Sequence, residues 1–138
     1  MHKIFKIFSV FIMFFGFLVN ILAQEQQYLD GIWRSNTTGY LEELGNYEIN
    51  QILIIQNSKY THMYERISQK VTKWFTCEIG LFVINNNEII FFREEYKNDK
   101  LNLLWETNEN QIFICNYILN NNILTINKDD EMIEFIKE

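Results

Sequence analysis

Proline is absent from the 138 residues, and glycine occurs only five times. No segment reads as a Pro- or Gly-rich linker, and no low-complexity block or internal repeat divides the chain. A glycine-rich phosphate loop and a G-x-S-x-G nucleophile turn are both missing. There are two cysteines and two histidines, and one of those histidines is His2. His62 has no second histidine or cysteine pair with which to form a zinc set, and no Cys–His relay is evident. Basic residues number 12 against 18 acidic, for a formal net charge of −6. Such a chain is a poor match for nucleic acid, whose backbone demands a basic face. The charge suits a cationic partner or serves solubility. The acidic pairs Glu42-Glu43, Glu94-Glu95 and Asp129-Asp130 read as solvated turns and lids. Adjacent residues of a strand point apart, so Glu94-Glu95 forms no catalytic dyad by itself. The expectation is a protein without cofactor, metal site or enzymatic activity.

The N-terminus has its own pattern. Lys3 and Lys6 precede an apolar run over 7–22 that only Ser9, Gly16 and Asn20 interrupt. Ala23 offers a small residue for cleavage, with Gln24 as the new start. This is the layout of a secretory signal peptide over residues 1–23. The rival reading is a retained anchor, but the run is shorter than the roughly 20 residues a spanning helix needs. No cysteine follows the run to carry a lipid. The expectation is an exported protein, periplasmic or secreted, with no membrane span after cleavage. Its domain is residues 24–138, and loss of Lys3 and Lys6 leaves ten basic against 18 acidic residues. That length supports one domain with a real core.

What is present is Ile, Phe, Tyr and Asn in short blocks. Apolar, β-rich segments fall over 29–35, 50–56, 59–68, 72–84, 88–96, 101–107, 111–119, 123–128 and 131–137. Asn57-Ser58, Asn85-Asn86-Asn87, Asn98-Asp99, Asn120-Asn121-Asn122 and Asp129-Asp130 separate many of them. Asn and Asp tolerate the left-handed conformations of tight hairpins, so these breaks read as turns. Residues 36–47 read as a polar connection, with one or two helical turns over 39–45. Such short links force antiparallel neighbours, because parallel pairs need long crossovers. The predicted fold class is all-β: an up-and-down antiparallel meander of eight to nine strands. Closing it into a barrel removes the exposed edges. A barrel of that size is filled by side chains or holds one small ligand.

Gly31-Ile32-Trp33 stands at the first strand, just after the apparent leader. A G-x-W there, ahead of a β meander, resembles the start of a compact, bacterial-style lipocalin-like barrel. The resemblance implies that Trp33 closes the narrow end with Gly31 beside it. It would also place an arginine near the C-terminus against that tryptophan. The basic residues there are Lys128 and Lys137, and no T-D-Y-like motif occurs. The resemblance further implies that the segment after the first strand covers the open end, with Tyr40, Leu41 and Leu44 as a lid or a permanent plug.

Candidate ligand contacts lie on 59–68. Tyr60, His62, Tyr64 and Arg66 share one face, and Thr61, Met63, Glu65 and Ile67 the other. The first face would line a pocket mouth, with His62 and Arg66 meeting an acidic head group as in fatty-acid-binding barrels. The commoner arrangement gives that polar face to water and the Met63/Ile67 face to the core. Other inward sets read as Phe75, Cys77, Ile79, Leu81 and Val83, then Phe113, Cys115, Tyr117 and Leu119, then Leu124 and Ile126. Cys77 and Cys115 would both face inward, and an oxidising compartment permits a disulfide between them. Two buried thiols are the alternative. Two functions follow. One is a carrier of a small apolar or amphipathic ligand. The other is a filled barrel that engages a protein, such as an inhibitor of a cationic hydrolase.

Overall fold

The computed structural model describes residues 28–70, 73–98, 111–128 and 130–138. Their architecture is an antiparallel barrel of eight strands. In order these are β1 (Gly31–Leu41), β2 (Gly45–Gln56), β3 (Lys59–Ser68), β4 (Trp74–Asn85), β5 (Glu88–Asn98), β6 (Gln111–Asn120), β7 (Ile123–Lys128) and β8 (Glu131–Lys137). Each pairs with the next, and β8 returns to β1 to close the barrel. The leader over 1–23 and the strand expected over 101–107 lie outside the described residues.

The turns show why the meander forms. Asn57 and Ser58 both take positive φ, 50° and 64°. That is the two-residue turn whose twist matches a right-twisted hairpin. Asn86 and Asn121 take positive φ at the β4–β5 and β6–β7 turns, where asparagine bears the strain at low cost. At this end of the barrel each turn also bonds to the neighbouring strand. Phe82 donates to the Ser58 carbonyl at 2.9 Å, Tyr117 to Asn87 at 2.9 Å, and Lys137 to Asn122 at 2.8 Å. The end is thereby tied together all round.

Trp33 and Leu29 close it. Both are fully buried, and the Trp33 indole donates to the Leu29 carbonyl at 2.7 Å. The basic side chain at this tryptophan is Lys137, where the resemblance implies an arginine. Its Nζ lies 5.0 Å from the Trp33 ring centre. Phe82, Ile55, Ile89, Leu124 and Phe135 pack above the tryptophan as the core.

Three expectations are corrected. Residues 36–41 and 45–49 are strand, so β1 and β2 form a long hairpin joined at 42–44, with no helical turns. A polar surface hairpin needs no apolar face, so composition concealed its strands. The hairpin tip is pinned by Lys70, which donates through its backbone to the Leu44 carbonyl at 3.1 Å. Second, the Tyr60/His62 face of β3 points inward, while Ile67 on the other face is exposed. Third, β4 runs in the opposite phase. Glu78, Gly80 and Phe82 face the interior, opposite His62 and Tyr60, and Leu81 and Val83 face out. By contrast Cys115, Leu124 and Ile126 lie in the interior, the side expected from the sequence.

A bulge accompanies that phase. Ile79 faces Glu95 but Gly80 faces Arg93, which leaves Glu94 as the extra residue of β5. A Cβ at Gly80 would strike the Phe92 carbonyl and come within 3.0 Å of the Tyr60 ring. Glycine is what allows the bulged strand and the tyrosine to approach together.

Candidate functional site: the interior cavity

Above the packed core the barrel holds a cavity of about 250 Å³. Tyr60, Phe91, Phe113, Ile126 and Phe135 give it apolar walls. Gln51, His62 and Glu78 supply polar groups, and Lys128 and Glu131 stand where β7 turns into β8. Gln51 and Ile133 also border a groove between β1 and β8. There the two strands pair at Trp33–Lys137 and Arg34–Ile136 and part beyond Arg34. Arg34 also holds Glu138 by an ion pair at that seam.

Polar side chains in and beside the cavity fall into two sets. In the first, His62 Nε2 lies 3.0 Å from Gln51 Oε1. An amide oxygen only accepts, so Nε2 carries the proton and donates. Burial pushes the imidazole below its ordinary value of 6.5; Glu78 works against this and Lys128 with it. In the second set, Arg93 is 8 % exposed and pairs with Glu78 at 3.2 Å. Its Nη2 donates to Gln111, its Nε is buried without a hydrogen-bond partner among the described residues, and its guanidinium lies 4.6 Å over the Tyr96 ring and 5.3 Å over Phe113. A buried cation costs several kcal/mol unless it is paired, and here one carboxylate, one amide and two rings answer it.

Tyr60 lines the same cavity. It is 3 % exposed and stacks edge-on against Phe91 at 4.7 Å. Its hydroxyl is buried and has no hydrogen-bond partner among the described residues. Burial raises its pKa above 10.0, Glu78 raises it further and Arg93 opposes. The phenol therefore stays protonated, as a donor without an acceptor.

The residues singled out from sequence divide. Tyr60 and His62 line the cavity. Tyr64 and Arg66 sit nearer the mouth, packed on Trp74. Tyr64 meets that ring edge-on at 5.9 Å, and the Arg66 guanidinium lies 4.8 Å above it. Trp74 is held by its indole, which donates to Asn98 Oδ1 at 3.1 Å. Tyr40 is 65 % exposed on the hairpin's outer face, and Leu44 lies in its turn. Neither lines the cavity. Gly31 and Trp33 are at the closed end. Cys115 lines the cavity, but Cys77 neighbours Glu78 on the strand and so faces the other side of the wall. No disulfide joins them.

Sequence reasoning missed Gln51, Glu78, Arg93, Lys128 and Glu131. Glu78 offered the one usable signal: an acidic residue in the middle of an otherwise apolar strand. Among the described residues no cluster of His, Cys, Asp and Glu is gathered to hold a metal ion. No protein-family model matches the chain, and a search of curated proteins found no relative.

Proposed function

We propose that this is an exported, non-enzymatic, lipocalin-like protein that carries one small apolar or amphipathic ligand inside its barrel. The observation that carries the reading is the cavity of about 250 Å³, whose apolar walls hold the polar groups of Gln51, His62 and Glu78. Small-molecule sites are concave and mostly apolar, with a few placed polar groups, and this cavity has that composition. The closed end, with Trp33 under a basic side chain from β8, supports the lipocalin-like reading. The basic, apolar pattern over 1–23 supports export.

Native mass spectrometry of the protein purified from its own cells tests the carrier reading. The expected result is a bound small mass that is lost on denaturation and restored by adding back the extract. A barrel that is always empty, and that takes up nothing from an organic extract of its host, would end it.

A second reading is supported by the outside of the barrel. Leu81, Phe92 and Ile112 lie side by side across β4, β5 and β6, and Val83, Ile90 and Ile114 form the next row. Leu81, Val83, Ile112 and Ile114 are exposed. Apolar patches of this kind mark interaction sites. Glu88 at one end and the exposed Glu94 and Glu95 at the other give the patch an acidic rim. The partner it fits is a protein with an apolar centre and a cationic border, such as a cationic secreted hydrolase. Inhibition of such a hydrolase, abolished by Ile114→Asp, would support this reading; unchanged hydrolase activity and no co-migration would remove it.

A further inference from the structure

The barrel wall opens beside the cavity. β1 and β8 pair only at Trp33–Lys137 and Arg34–Ile136, although β1 runs on to Leu41 and β8 begins at Glu131. The inward-facing residues of both strands lose their cover together. On β1 they run from buried Trp33 through half-buried Ser35 to exposed Thr37. On β8 they run from buried Phe135 through half-buried Ile133 to exposed Glu131. Gln51 of β2, the partner of Ser35, is still only 7 % exposed, so cover is lost on the seam side. The cleft between the strands is bordered by both faces of the wall: Ser35, Thr37 and Gln51 face inward, and Asn36, Asn50 and Met132 face outward. A space bordered by both faces passes through the wall. It meets the cavity at Gln51 and Ile133, which border both.

We propose that the ligand enters and leaves sideways, through the β1–β8 cleft. Its apolar body fills the cavity, and an uncharged, hydrogen-bonding head group stays in the cleft on Gln51, Ser35 and Thr37. This rests on the carrier reading above and deepens it. Widening the seam beyond Arg34 breaks no β1–β8 hydrogen bond, so this part of the wall opens at low cost. A polar head drawn into the apolar cavity would lose its water without return. In the cleft it meets side-chain amides and hydroxyls instead.

Gln51 stands where the two spaces meet, with donors to spare. Its Oε1 faces His62 Nε2 at 3.0 Å, and its amide nitrogen has no hydrogen-bond partner among the described residues. The Tyr60 hydroxyl is sealed off from solvent, but the Gln51 nitrogen is not. Alternate backbone N–H and C=O groups of β1 beyond Arg34 also point into the cleft, where no strand meets them. Of the charged side chains along the cleft, Arg34 is paired with Glu138 and Glu65 with Lys73, while Glu134 is exposed on the outer face. A sugar-like or glycerol-like head group can both donate to and accept from such a lining. Size sets the body. A dry cavity of roughly 150 Å³ takes a single benzene ring. The space here, about 250 Å³, suits a fused ring pair or a short alkyl chain.

Naphthalene and 2-naphthyl β-D-glucoside share one apolar body and differ in the head group. Both are titrated into the full-length protein at pH 7.4, and exchange is followed by stopped-flow naphthyl fluorescence. Gln51→Met should weaken the glucoside about five- to tenfold and change naphthalene less than twofold. Asn36→Cys/Glu134→Cys sets a disulfide across the cleft, two residues beyond the last β1–β8 pair. Its oxidised form should exchange naphthalene at least tenfold more slowly than its reduced form, and added reductant should restore the rate, a recovery that misfolding cannot imitate. Thr37→Trp, at an exposed position, should slow exchange without any new bond. Exchange that stays equally fast in the oxidised form and in Thr37→Trp overturns the side entry while the carrier reading stands. Glucoside affinity unchanged in Gln51→Met overturns the head-group site. Failure of both probes to bind overturns the proposal and counts against the carrier reading as well.

Discussion

Lys137 Nζ lies 5.0 Å from the centre of the Trp33 ring and donates to the Tyr28 carbonyl at 3.1 Å. One side chain from the last strand therefore caps the aromatic plug and holds the chain just ahead of the first strand. A cation over a tryptophan face is worth about 0.5–1 kcal/mol at a partly exposed site and more when desolvated. Lys137→Met keeps the length and removes the charge. It is expected to lower the unfolding free energy by about 1 kcal/mol, read from the urea midpoint. Lys137→Arg should hold near the parent value, because guanidinium stacks on aromatic faces at least as well. Equal losses in both variants would show that packing, and not charge, is what Lys137 contributes.

Gly31 is coupled to the same lysine. Its φ is +147°, and a Cβ there would come within 2.7 Å of Lys137 Cε. Two costs therefore meet in Gly31→Ala: a backbone conformation that favours glycine and a clash with the stacked side chain. The single substitution is expected to cost about 1–3 kcal/mol. The double substitution Gly31→Ala/Lys137→Ala should cost less than the sum of the singles, because removing the lysine relieves the clash. A double-mutant cycle by urea unfolding measures this difference. Strict additivity would show that backbone strain alone sets the requirement for glycine.

How far this barrel could be read from its sequence depends on what each residue had to signal. The hairpin turns were legible, because Asn57, Asn86 and Asn121 carry the conformational preference of the turn in their own side chains. Trp33 was legible through its place in the chain. Which strand face turns inward was not. In β4 the outward Leu81 and Val83 are as apolar as the inward Phe82 and Ile84, so alternation gives no preferred phase. In β3 the inward face is the more polar one, since it builds a cavity instead of a dry core. The meeting of Glu78, Arg93 and Tyr60 was not legible either. It depends on the register shift at Ile79/Gly80, which sets Arg93 beside Gly80 across two strands. That shift is a property of strand pairing, and no local pattern announces it.

Cys77 and Cys115 lie on opposite sides of the barrel wall, which makes a thiol-count prediction. Burial pushes the Cys77 thiol above its ordinary value, with Glu78 adding to the effect and Lys97 opposing it. Fewer thiolates means slower alkylation. The native protein is expected to resist iodoacetamide at pH 8, and to take two equivalents once denatured without reductant. A denatured mass that rises by two hydrogens on reduction would reveal a disulfide that this arrangement of strands does not allow.

His62 sets the acid side of the stability profile. Gln51 receives its Nε2 proton, the Phe135 ring lies edge-on at 6.4 Å, and Glu78 and Lys128 are the charges that act on it. Burial lowers its pKa in the folded state below the 6.5 it has when exposed. Between those two values the unfolded chain binds more protons than the folded one, so stability rises with pH. The contribution is fully present above 6.5 and is lost as the pH falls through the folded value. Its slope approaches about 1.4 kcal/mol per pH unit for one proton. Tyr60 and Cys77 act in the opposite sense. Their pKa values are raised, so their contributions hold below the ordinary values of 10.0 and 9.0 and fall away above them. Stability should therefore be greatest between about pH 7 and 9. His62→Gln removes the titrating group and keeps a donor for Gln51. Urea midpoints at pH 7.5, 6.0 and 5.0 are expected to fall more steeply in the parent than in His62→Gln. Parallel declines would assign the acid limb to the carboxylates instead.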